Sequence, residues 1–207
     1  MQDFDLSYLK FLLDETKAKQ EVFPFRVPDE TGCEITYLPS RLRIYWPGRI
    51  DSPNFLWEME KAGVSEKSKL RKGTQNYFRI VRKDGKLLRV DTIIKGRLDV
   101  IEIAYYDGDR RFCFPFSNDG GFYPTSVDVI RYRDGMIIED YMVSSNQIVY
   151  RSYDYADPTR IGYREINYVP TGTEPILSKS IGYFERTDKL RYVETYGWTF
   201  WDSPEKT

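Results

Sequence analysis

From Asn76 onward, apolar and polar positions alternate with a period of two, and turn residues break the alternation at short intervals. That is the pattern of half-buried β-strands. The run "NYFRIVRKDGKLLRVDTII" predicts strands at 76–83 and 86–94 joined at Asp84-Gly85, because Asp-Gly accepts the positive φ angles of a type I′ hairpin turn. Asp107-Gly108 in "LDVIEIAYYDGDRRFCFPF" and Asp134-Gly135 in "VDVIRYRDGMIIEDYMV" repeat the device, and Asp119-Gly120 is a further copy of the dipeptide. The later runs "NQIVYRSYDY", "IGYREINYV", "LSKSIGYFER" and "KLRYVETYGWTFW" read as strands separated by turn-rich stretches at 156–159 and 170–172.

Before Asn76 the periodicity is different. In "DFDLSYLKFLLDETKAKQ", Leu6, Leu9, Leu12, Leu13 and Thr16 share one side at helical spacing, Asp3 or Asp5 can cap, and Lys17 and Lys19 suit the negative pole. "VFPFRVPDETG" is extended, and "CEITYLPSRLRIYWPG" offers one or two short strands. A second helix is spelled out by "DSPNFLWEMEKAG": Ser52 as N-cap, Pro53 in the first turn, Gly63 past the end, and Phe55, Leu56 and Met59 as the buried stripe. "VSEKSKLRKG" is either one more turn or a basic loop.

Strand parity leaves three arrangements open. In "DVIEIAYY", Ile101, Ile103 and Tyr105 face one side and Val100, Glu102, Ala104 and Tyr106 the other; "LRYVETYGWTFW" gives one buried and one mixed face. Both faces keep apolar groups, so the sheet packs on both sides, rolls into a barrel, or shows a tyrosine-rich face to a partner. The expected fold is α+β, mainly β: one domain over 1–207, with a helical and irregular part (1–75) and an antiparallel meander of about eight strands (76–201) that can curl toward a barrel, the two N-terminal helices packed on it.

Composition narrows the chemistry more than it names it. The chain has 207 residues, no histidine and two cysteines. Without an imidazole there is no Ser-His-Asp or Cys-His catalysis, no His-ligated zinc and no facial-triad iron. Carboxylate pairs, lysine or tyrosine acid/base groups and oxygen-ligated magnesium or calcium remain. Cys33 and Cys113 lack metal-ligand spacing; they read as two buried thiols, or as one disulfide in an exported chain. No cofactor or metal is expected. The acidic start and the absence of any span-length apolar run lead us to expect a soluble cytoplasmic protein.

Charge is uneven although its total is only −1. Between Lys61 and Arg97 stand twelve Lys or Arg and three acids, a segment charge of +9. Either this is a solvated face neutralised by acidic strands beside it, or it engages an anionic partner. The pI near 5.7 argues against nucleic acid. Glu102, Glu139, Asp140, Glu165, Glu185 and Glu194 fall in strands, where alternation makes the solvent face the ordinary reading; two of them across a cleft could instead hydrolyse glycosides, with aromatics lining sugar subsites. The seventeen tyrosines serve half-buried strand positions or an interface. For an interface the candidates are Arg79, Arg82, Arg89, Tyr106, Arg131, Arg133, Tyr150 and Tyr153, with arginine and tyrosine interleaved at 131–133 and 150–153.

The dipeptides recur 23 and 27 residues apart, as "KDGK", "YDGD" and "RDGM" after aromatic or basic strands. Over residues 76–140 this resembles the MORN-like hairpin repeats of bacterial antitoxin-type proteins. The resemblance implies a non-catalytic, protein-binding sheet of the kind that neutralises a partner, as immunity proteins do. Two other expectations stand beside it: a lipocalin-like barrel holding an apolar small molecule, and a carbohydrate-active protein using strand carboxylates and aromatics.

Overall fold

Asp84 and Gly85 both have positive φ (51° and 74°), as do Asp134 and Gly135 (51° and 76°), so these dipeptides are the type I′ turns that their sequence predicts. Around Asp107 the turn is built differently. Asp107 still pairs with Arg110, and only Gly108 has positive φ (59°), which makes glycine the first central residue of a type II′ turn. Lys95-Gly96 adopts positive φ at both residues (52° and 73°) without the Asp or Asn that would announce it. In the computed structural model the described residues are 6–23, 25–39, 47–117, 126–144, 147–169, 176–186 and 190–200. Asp119-Gly120, the caps expected at Asp3 or Asp5, and any second strand at 40–46 lie outside them.

The turns link an antiparallel meander in sequence order: β1 (Glu34–Pro39), β2 (Tyr77–Lys83), β3 (Lys86–Ile94), β4 (Arg97–Asp107), β5 (Arg110–Ser117), β6 (Ser126–Arg133), β7 (Met136–Ser144), β8 (Ile148–Asp154), β9 (Arg160–Val169), β10 (Ile176–Arg186) and β11 (Leu190–Phe200). Among the described residues eleven strands stand against the expected eight: the three Asp-Gly runs and the four later runs together supply ten, and β1 adds an edge before the meander. The sheet is open, with β1 and β11 as its edges. The barrel curl is therefore corrected to an unclosed sheet, and the reason is that both faces are already covered by protein.

Helix α1 (Leu6–Val22) covers one face. Leu12 is fully buried there among Ile101, Ile103, Phe112, Phe114, Val129, Tyr141 and Ile166, and Phe23 stacks on Tyr105 at 4.8 Å. Burying a leucine this way contributes about 2 kcal/mol. Tyr8 donates to Glu139 (3.1 Å), and Arg110–Glu15 and Lys19–Asp107 ion pairs tie the helix to strand ends. The side chains of Leu6, Leu9 and Leu13 lie outside the described set.

The opposite face is covered by a 3-10 turn (Pro47–Arg49) and helix α2 (Pro53–Lys61). Ile50, Phe55 and Met59 pack on Leu38, Phe78, Ile80 and Val90, while Trp57 sits against Phe184 and Tyr192. Ser52 caps α2 by accepting from the Phe55 N–H (3.3 Å). Leu56 departs from the expected stripe and is exposed: one position past Phe55, it is turned about 100° from the line joining Phe55 to Met59. After Gly63 the chain is non-helical, and the basic segment is held by a backbone bridge between Lys67 and Tyr37.

Candidate functional site

The face under α2 carries acids where the strand pattern predicts apolar side chains or solvent. Glu102 on β4, Asp128 on β6 and Asp140 on β7 are all buried, and with them Arg49, Arg111 and Arg151. The expectation that strand acids face water is corrected at Glu102 and Asp140; period-two alternation assigns a face, and only packing decides which face is wet.

Asp140 is the centre of this network. Its Oδ1 lies 3.2 Å from both Arg49 Nη1 and Arg151 Nη1, Tyr153 donates its hydroxyl to Oδ2, and Ser52 adds a hydrogen bond from the α2 cap. Burial pushes this carboxyl up to about 7, against the pull of the Tyr153 and Ser52 donors. Arg151 continues outward to Glu165 at 2.6 Å and to the Tyr163 hydroxyl at 3.2 Å. On the other side Arg111 reaches Asp51 (2.5 Å) and the Gly48 carbonyl (3.0 Å), and Arg82 meets Asp51 at 3.0 Å. Burial works to raise Asp51, but the charges and hydrogen bonds of Arg111 and Arg82 outweigh it and hold the carboxyl below its ordinary range.

Glu102 and Asp128 are in a different position. They sit on strands either side of β5, and a Cβ on Gly48 would lie 2.7 Å from Glu102 Oε2 and 2.8 Å from Asp128 Oδ2. Glu102 Oε2 and Asp128 Oδ1 meet no hydrogen-bond donor among the described residues, although Arg49 Nε stands 3.7 Å from Asp128 Oδ1. Burial drives both carboxyls well above their ordinary range; the neighbouring acids add to this, and the Arg111 charge and the Gly48 N–H oppose it only in part. Both carboxyls are thereby biased toward their protonated form. A glycosidase pair needs room between its carboxyls for a sugar and, when inverting, a water. Here Gly48 fills that room.

The eight residues expected at an interface do not make one face. Arg79 and Arg89 come together on the α1 face, clamped between Glu30 and Asp91: Arg79 lies 3.0 Å and Arg89 2.6 Å from Asp91. Arg82 is on the α2 face with Glu66 (2.7 Å) and Asp51. Arg131 pairs with Asp109 at 2.9 Å and with Glu139 at 3.4 Å. Tyr150 is buried on the α1 face beside Tyr8 and Tyr141, and Tyr153 is buried on the other face at Asp140. Those two are corrected from surface to core, since an odd spacing along a strand sends them to opposite faces that are both covered. Tyr106, its hydroxyl on the Leu87 carbonyl and Lys86 over its ring, and the exposed Arg133 stand at the end of the sheet that carries the Asp-Gly turns. Thus most of the predicted arginines are neutralised internally by acids folded beside them.

What sequence reasoning missed lies next to α2. A groove of about 290 Å³ is lined by Asp51, Pro53, Leu56, Met136, Tyr155 and Ile161, and it opens at the Asp134-Gly135 turn. Leu56 and Met136 are 41% and 44% exposed there. The available signal was the exact α2 spacing, which puts Leu56 off the Phe55–Met59 line. Cys113 is buried and Cys33 half-buried, and both are free thiols. Among the described residues no cluster of three metal-ligating side chains occurs, and no helix is long and apolar enough to cross a membrane. Comparison with protein-family models, with curated proteins and with solved structures returned no match.

Proposed function

We propose that this chain is a non-catalytic protein-binding module that seats an apolar side chain of a partner protein in the groove between α2 and the β6–β7 turn. The observation that carries the reading is the pairing of Leu56 and Met136, two large apolar side chains exposed side by side over a floor of Pro53, Tyr155 and Ile161. An apolar concavity of this kind, with polar residues around it, is the form taken by anchor pockets in interfaces, and methionine adapts to the shape of what it meets. Arg133, exposed at the same turn, supplies a charged rim. The hairpin resemblance of residues 76–140 to antitoxin-type repeats points the same way, toward neutralisation of the bound protein.

Affinity capture from source-cell extract, followed by native mass spectrometry, tests this with Leu56→Asp and Met136→Asp. Both positions are exposed, so folding is retained. The reading expects a stoichiometric protein on the unmodified chain and about tenfold weaker retention on each variant, as loss of a buried apolar anchor requires. Equal retention on all three removes the groove from the interface.

A further inference from the structure

At the far end of α2 from the groove, a second concavity collects positive charge. It measures about 420 Å³ and is lined by Lys67, Lys69 and Arg71 together with Pro39, Val64, Leu70, Ser65, Thr74, Gln75 and Asn76. The three cations come from one short non-helical segment, whose backbone is fixed to Tyr37 through both the N–H and the C=O of Lys67 (2.8 Å each). All three contribute to the lining of the same cleft. No carboxylate lines the cleft among the described residues, and none of the three cations has an ion pair there. Glu66, the acid immediately before them in sequence, is held instead by Arg82 and Thr36.

The uncharged part of the lining also offers donors. Asn76 uses its side-chain oxygen to accept the Lys95 N–H (2.7 Å), which leaves its NH2 group for a ligand, and the same hydrogen bond brings the Lys95–Arg97 turn to the rim. The C-terminal carbonyls of α2, which would repel an anion, are already occupied: those of Glu58, Met59 and Glu60 accept from Ala62, Val64 and Gly63. Pro39, Val64 and Leu70 give the cleft an apolar wall, and its size is that of a small-molecule site.

From this geometry we infer a binding site for a phosphorylated small molecule, its phosphate held by Lys67, Lys69 and Arg71 and its organic part laid on Pro39, Val64 and Leu70. Three cations without an acid match a group carrying two or more negative charges, and lysine and arginine are the side chains that bind phosphate. The site is separate from the groove beside Leu56 and does not depend on it.

The test is calorimetric titration of the purified chain with inorganic pyrophosphate, adenosine monophosphate, adenosine and a short glutamate oligopeptide, with amide NMR shifts mapped in parallel. The expected result is saturable binding of both phosphate compounds, mutual competition, no binding of adenosine, and shifts centred on residues 64–76. Replacing all three cations (K67Q, K69Q and R71Q) should weaken the phosphate compounds at least about tenfold, with secondary structure unchanged. No binding, binding indifferent to the triple replacement, or displacement of adenosine monophosphate by a tighter-binding glutamate oligopeptide would each overturn the site, the last in favour of an acidic polypeptide.

Discussion

The backbone of Gly48 lies against the side chain of Glu102 so closely that a methyl group at Gly48 would stand 2.7 Å from Glu102 Oε2. The same methyl would meet Cys113 Cβ at 2.7 Å and Asp128 Oδ2 at 2.8 Å, so there is no side on which it fits. Gly48→Ala is therefore expected to destabilise the fold by about 1–3 kcal/mol, the usual cost of overpacking a filled core. Urea denaturation reads this directly; an unchanged midpoint would mean that the 47–49 turn is not seated on the strand acids.

How much of this could be read in advance differs from element to element. The hairpins at Asp84-Gly85 and Asp134-Gly135, and the Ser52-Pro53 start of α2, are local structures, and their residues announce them. Lys95-Gly96 makes the same turn as Asp84-Gly85 without an informative side chain, so only pairing in the sheet fixes it. The faces are another matter. Alternation shows that Ile101 and Glu102 point opposite ways, but it does not show that α1 covers the first and Gly48 the second, because both contacts are made by residues more than 50 positions distant. Tyr150 and Tyr153 looked like surface groups for the same reason. The groove was hidden one step deeper, in the angle between Leu56 and Phe55 on a helix of nine residues.

Acidity should affect stability in an unusual direction. Glu102 and Asp128 bind their protons more tightly in the folded chain than in the unfolded one. Their contribution is thus fully present below the ordinary carboxylate range, about pH 4, and is lost as pH rises above it through their folded values. Asp140, raised to about 7, adds to the same trend up to neutrality. Asp51 and Glu30, whose values are lowered by arginine partners, work the other way and lose their contribution as pH falls below about 4. Unfolding midpoints measured from pH 4 to 8 should therefore decline toward pH 8, and Glu102→Gln or Asp128→Asn should flatten the decline. A midpoint that rises steadily to pH 8 in the unmodified chain would show these acids to be ionised.

Removing the centre of the arginine network should cost more than removing its periphery. Asp140→Ala leaves Arg49 and Arg151 buried without their common acceptor and strips Tyr153 of its partner. At pH 8, where Asp140 is mostly ionised, a loss of about 3–5 kcal/mol is expected, as for other broken buried ion pairs. Glu165→Ala, at the exposed end of Arg151, should cost about 1 kcal/mol or less. Equal effects in chemical denaturation would mean that the network has no buried centre.

The thiols offer a simple check on depth. Cys113 is buried against Gly48, and burial pushes its thiol far above the ordinary range; Cys33 is only partly covered. A thiol reagent at pH 8 should modify Cys33 in the native protein and Cys113 only in denaturant. Rapid labelling of both in the native state would show that the 47–49 turn opens.

The proposed binding groove lies on the outside of α2, and the arginine network lies beneath that helix. Hydrogen–deuterium exchange of the chain alone and with its captured partner separates the two most directly. Added protection should fall on residues 53–57, 135–137 and 155–161, the walls of the groove. Protection falling on β2, β3 and β6, at Arg79, Arg89 and Arg131, would contradict the account and return the binding surface to the arginine-bearing strands.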